Sequence, residues 1–178
     1  LEMTFFFFKD REINAVDEAL TVAEDKIGDF YKFCFGQWKR HQYEVKTLST
    51  LLSHEIIPDT FAILSKGTRP TEGYESKTKK RDYYYICLQD HQILKAIQRD
   101  KKLSLFPLLV YIFTHELVHV VRFCNFLQRF EISFKDRELE EKVVHETTFG
   151  ILKDLSLPRL DYILDSYQNH RICDLVVT

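Results

Sequence analysis

The sequence predicts an α+β protein, mostly helical with a small β-hairpin or sheet. Three observations carry this: an apolar stripe at helical spacing from Ile13, two short runs rich in aromatic and β-branched residues, and helical patterning over most of the second half. The chain has 178 residues, 45% of them hydrophobic and 14% aromatic, enough for one compact domain with a sizeable core. Five glycines and four prolines leave little room for large-scale disorder.

The elements follow in order. Leu1-Glu2 before Met3, the one methionine, reads as a cloning remnant, with the natural chain expected to begin at Met3. Phe5 to Phe8 are too few for a signal-peptide core, and "KDRE" ends them at once. From Ile13 the apolar positions step 13, 16, 20, 23, 27, 30, 34, a three-four spacing that predicts an amphipathic helix. The pattern resumes as Trp38, His41, Val45, Leu48 and Leu52 with one extra residue in the step. A single helix from 11 to 57 would run about 70 Å, too long for a domain of this size. A break near Gly36 is therefore expected, making 1–58 an N-terminal amphipathic region of two helices. Their stripe packs on the core, or alternatively forms a homo-oligomer contact.

Pro58 closes that region, and 59–178 forms the rest of the same compact domain. "TFAILSK" (60–66) and "YYYICLQ" (83–89) have the content of short strands. Between them "GTRPTEGYESKTKKRD" combines breakers with Lys and Arg, so it reads as a long exposed loop, solvated or serving as a substrate-facing flap. His91 to Arg99 predicts a short helix, and Pro107 suits the first turn of a long one to about Phe130. Another is expected from near Asp136 to Leu155, and a last one after Pro158 up to Asn169.

Composition excludes several classes. A net charge of -2 offers no global basic surface for nucleic acid. Leu103 to Phe113 is apolar, but eleven residues fall short of the about 20 that a bilayer needs, so no membrane partner is expected. Cys34, Cys87, Cys124 and Cys173 lie far apart with no CxxC pair, which predicts thiols in a reducing compartment rather than a disulfide framework or a Cys-type zinc site. The expected location is cytoplasmic.

One stretch resists a purely structural reading. "YIFTHELVHVVRF", Tyr111 to Phe123, sets two histidines and a glutamate in an apolar run. Burying three ionisable groups costs several kcal/mol unless something pairs with them. His115-Glu116-Leu117-Val118-His119 is HExxH on a predicted helix, where residues four apart share a face. Both imidazoles can grip one Zn²⁺ ion, while Glu116, about 100° round the helix, can reach a water on the metal but not the metal itself. The bland alternative is two core histidines bonded to backbone, which leaves Glu116 without a role.

With its uncharged flanks, this stretch resembles the extended active-site motif of the zincin metallopeptidases. The metzincin form would place Gly at 122 and His at 125, where this chain has Arg122 and Asn125. The thermolysin-like zincins, or gluzincins, use a glutamate on a later helix, and "ELEEKVVHETTFGILKDL" looks similar, with Glu141 twenty-two residues beyond His119. The resemblance, over Tyr111 to Leu152, implies a zincin-like active-site helix pair. It also implies Glu141 as third ligand, and His145 in the place of an Asp or Asn that supports a ligand histidine. Helical geometry keeps alternatives open. Val144, Ile151 and Leu155 mark a buried stripe with Glu141 and His145 along its edge, but Glu138 shares nearly that face and Glu140 lies nearer the centre. His145 is thus the second candidate ligand, with Glu138 and Glu140 behind, these two also fitting a solvated helix N-terminus.

The activity implied is zinc-dependent hydrolysis of a peptide or protein substrate, with Glu116 as general base toward a zinc-bound water. A donor for the developing oxyanion is expected among His145, His170, Tyr111 and Tyr167. The resemblance further suggests "YYYICLQ" as the strand edge lining the cleft. Two rivals stand beside it. Glu116-xx-His119 is also half of a di-iron bundle motif, but no other histidine has a glutamate three residues before it; a single-metal bundle would add His54. The second rival is a metal-binding regulatory or interaction module that retains the site.

Overall fold

In the computed structural model, which describes residues 6–34, 38, 41–70, 80–125, 128–167 and 173–176, the Ile13 stripe folds as helix α1, Asp10–Tyr31. The Glu12 carboxylate accepts the Lys9 N–H at 2.9 Å and closes its first turn. Lys32 ends it in a left-handed conformation, φ 56°, with its N–H donating to the Gly28 carbonyl. Val16, Ala19, Ala23 and Ile27 face the core, so the stripe is used within the chain.

The second helix expected from Trp38 to Leu52 does not form. The chain instead makes strand β1, Tyr43–Lys46, and two 3-10 turns, Leu48–Thr50 and Ser53–Glu55. Tyr43 and Val45 pack toward the core. A helical spacing and a short strand followed by turns place the same apolar residues inward, and pairing with a distant strand decides between them. Gly36, where a break was expected, lies outside the described residues.

The two β-runs form a longer hairpin than expected, β2 (Ala62–Pro70) and β3 (Lys80–Leu88), so the ends of the expected loop are strand; 71–79 lie outside the described residues. A fourth strand, β4 (Cys173–Val176), has no counterpart in the sequence reading. The sheet order is β1-β3-β2-β4: β3 lies parallel to β1 and antiparallel to β2, and β4 runs parallel to β2. The fold is therefore α+β, mostly helical with one small mixed sheet. That sheet is at odds with a helical-bundle metalloprotein. β1, from the first 58 residues, is hydrogen-bonded into the sheet of the remainder, and one apolar core draws on both regions.

The helices are α2 (Asp90–Arg99), α3 (Leu105–Cys124), α4 (Phe134–Leu152) and α5 (Leu160–Tyr167). α3 ends at Cys124 rather than near Phe130, and α5 at Tyr167, with 168–170 outside the described residues. α3 is the centre of the molecule, packed by α1, α2, α4, α5 and β2. Twenty residues long, it is long and apolar enough to cross a bilayer, where the sequence reading counted only eleven apolar residues; most of it is buried inside the fold. A helix apolar on nearly all sides is what such a central position requires.

Asp90 ties two segments to the start of α2. Its carboxylate, 1% exposed, accepts the Phe8 N–H and the Leu48 N–H, each at 3.0 Å. Burial raises its pKa against the effect of those bonds. Asp90→Ala strands two buried N–H groups and is expected to destabilise the protein by about 2–4 kcal/mol, read from the midpoint of urea unfolding. Asp90→Asn, whose single amide oxygen serves one of them, should fall between.

Candidate metal centre

α3 presents His115 and His119 one turn apart, and α4 crosses to meet them. Ser133 caps α4 by accepting the Asp136 N–H at 3.2 Å, and the helix then buries Glu140, Glu141, Val144, Thr148, Ile151 and Leu152. Two carboxylates therefore enter a face that is otherwise apolar.

Glu141 spans the two histidines. One carboxylate oxygen lies 3.2 Å from His115 Nε2, the other 3.3 Å from His119 Nε2. Both rings are fully buried and Glu141 is 6% exposed. Among the described residues, none of the four ring nitrogens of His115 and His119 finds a hydrogen-bond partner of sound geometry, nor does Glu141 Oε2. Buried polar groups left in that state are costly, so the arrangement asks for something between them. In a tetrahedral zinc site, neighbouring ligand atoms sit about 3.4 Å apart. The two separations are of that size but run to different oxygens of the carboxylate, and the donor atoms that all lie within 4.8 Å of one another are those of His115, Glu141 and His145. Two imidazoles with a carboxylate are a donor set zinc takes readily, so in donor type the residues fit the ion.

Glu140 is the residue the sequence reading underrated. It is 1% exposed, not part of a solvated helix end. Arg122 clamps it with two bonds, Nε at 2.7 Å and Nη2 at 2.8 Å, and its Oε1 lies 3.8 Å from His119 Nδ1. At that distance Glu140 makes a charge contact rather than a hydrogen bond, and it sets a negative charge beside the His119 ring. Arg122, which breaks the metzincin pattern, thus has a use of its own. Glu138, by contrast, is exposed.

The charges are coupled. Burial opposes protonation of His119, but Glu141 and Glu140 on either side outweigh it and lift its pKa to about 10. Burial pushes both glutamates up; His119 and His115 more than reverse this for Glu141, and His119 with Arg122 holds Glu140 down at about 2. Glu116 is fully buried, and its charge reaches both His119 and the Cys87 thiol of β3. Burial pushes that thiol up to about 12, which leaves it inert at neutral pH.

Other expectations fare unevenly. His145, expected as second candidate ligand or as support for a ligand histidine, sits beside His115. Its Nδ1 lies 3.1 Å from Tyr111 Oη and its ring 4.6 Å from that of His115. The Tyr167 ring lies tilted 6.4 Å from that of Tyr111, and Phe61 meets it edge-on at 5.5 Å. His170 lies outside the described residues. His54 is exposed on the second 3-10 turn and takes no part in the buried cluster. β3 lies inside the sheet, so "YYYICLQ" is not a free edge; β1 and β4 are the outer strands. Comparison with protein-family models, curated proteins and solved structures found no match.

Proposed function

We propose that the chain is a zinc-dependent metallopeptidase of gluzincin-like type, cytoplasmic and acting on a peptide or protein substrate. His115 and His119 on α3 and Glu141 on α4 hold the ion, and α3 with α4 is the zincin-like helix pair. One observation carries the reading: two buried imidazoles meet the two oxygens of one buried carboxylate at 3.2 and 3.3 Å, with ring nitrogens that no hydrogen bond satisfies.

Zinc would supply Lewis acidity to a water and to the scissile carbonyl. The remaining roles belong to the chain. Glu116 takes the proton from water and delivers it to the departing amine. Glu140, held by Arg122, keeps a negative charge beside the His119 ring. The apolar body of α3 excludes bulk water from the ligands, which strengthens every charge interaction among them.

The test is metal content. Purified wild-type protein is expected to carry about one zinc per chain, and His115→Ala and Glu141→Ala to lose it. Full occupancy in Glu141→Ala would remove Glu141 from the ligand set. Absence of zinc from wild type, with none taken up on addition, would sink the reading.

A further inference from the structure

His145 stands one turn beyond Glu141 on α4, over the same stretch of α3. Donor atoms from His115, Glu141 and His145, one each, all lie within 4.8 Å of one another. His119, which is outside that group of three, has its Nε2 3.3 Å from the carboxylate oxygen of Glu141 that His115 does not face. Three side chains thus form one cluster, and His119 borders it through the shared Glu141 carboxylate, where a tetrahedral catalytic site uses three ligands and leaves a place for water.

We propose that His145 is a fourth protein ligand of the ion held by His115, His119 and Glu141, set by Tyr111, so that the resting centre is closed and opens when His145 leaves. This rests on the metal site proposed above and adds its regulation. Tyr111 is 2% exposed, one turn before His115, and its Oη lies 3.1 Å from His145 Nδ1. Ligation through Nε2 keeps the proton on Nδ1, where Tyr111 Oη accepts it, so one hydrogen bond fixes both tautomer and ring direction. Tyr111 is a positioning residue in this scheme.

His145 is also the ligand suited to release. His115, His119 and Glu141 are buried, whereas His145 is half-buried, with exposed Lys142 and Glu146 beside it on α4. Swinging its ring toward solvent disturbs less packing than moving any of the other three. A water or a substrate group can enter only where His145 leaves, so hydrolysis waits on that rotation.

Cobalt(II), whose visible absorption reports coordination, is the probe. Wild type, His145→Ala and Tyr111→Phe are titrated with Co²⁺ and then with acetohydroxamate, a small chelating anion. Wild type is expected to bind one Co²⁺, His145→Ala to bind it roughly 100-fold more weakly with an altered spectrum, and Tyr111→Phe about tenfold more weakly. Acetohydroxamate should shift the His145→Ala spectrum at about one-tenth of the concentration that wild type needs, or less. Equal Co²⁺ affinity, spectrum and hydroxamate response in wild type and His145→Ala overturns the proposal. Tyr111→Phe keeps a buried ring and tests the same claim should His145→Ala fail to fold. Failure of wild type to bind Co²⁺, or unchanged binding by His115→Ala, overturns the metal site itself, and so is told apart from a failure of His145 alone.

Discussion

Glu116→Gln is expected to lower kcat for peptide hydrolysis by roughly 10²–10⁴ while zinc content stays near one per chain. The substitution is nearly isosteric, so the fully buried position is refilled without a cavity. What it removes is basicity: an amide cannot accept the proton that water must lose. Glu116 lies about 100° round α3 from His115 and supplies none of the proposed metal donors, so its loss leaves those donors in place. His115→Ala gives the opposite signature, losing metal and activity together. The comparison also separates a peptidase from a regulatory module that retains the site. Equal turnover by Glu116→Gln and wild type excludes Glu116 as the base; metal binding with no turnover by wild type, across a broad peptide library, favours the module.

The meeting of His115 and His119 with Glu141 was more legible in the sequence than the fold around it, for a physical reason. HExxH is local: two side chains four apart on a helix must share a face whatever packs outside it. Glu141 needed the resemblance, since nothing about its own neighbours distinguishes it from Glu138 or Glu140. Glu140 ranks low from sequence because its partners, His119 and Arg122, are on another helix, and a run of acids near a helix start has a ready solvent role. The same non-locality hid two strands. β1 exists because Tyr43–Lys46 pairs with Tyr84–Cys87, and β4 because Cys173–Val176 pairs with Ala62–Ser65. A four-residue strand has little pattern of its own, and here its three-four apolar spacing favoured a helix. α1 and the hairpin, with periods repeated over many residues, were read correctly in kind. Their ends shifted where a single cap or pairing decides the boundary.

Metal removal should be felt in stability, and the charges at the site give the effect a pH dependence. Zinc at about 100 times its Kd adds about 2.7 kcal/mol to the unfolding free energy, which for a chain of this length raises Tm by roughly 5–10 °C. Without metal, a proton on His119 takes the cation's place between Glu140 and Glu141, since its pKa is lifted to about 10. A histidine raised above its ordinary value near 6.5 contributes stability fully below that value and loses it as pH climbs toward 10. Both glutamates are depressed, so their contribution is present above about 4.5 and lost as pH falls toward their folded values. The metal-free protein is thus expected to be most stable between about pH 4.5 and 6.5 as far as these groups decide it. Zinc must displace the His119 proton, so its affinity, and with it the Tm gain, increases from pH 6 to 9. Thermal unfolding with zinc and with a chelator, at several pH values, reads both effects. A Tm that ignores chelation, or a zinc gain that shrinks as pH rises, contradicts an ion seated between His119 and Glu141.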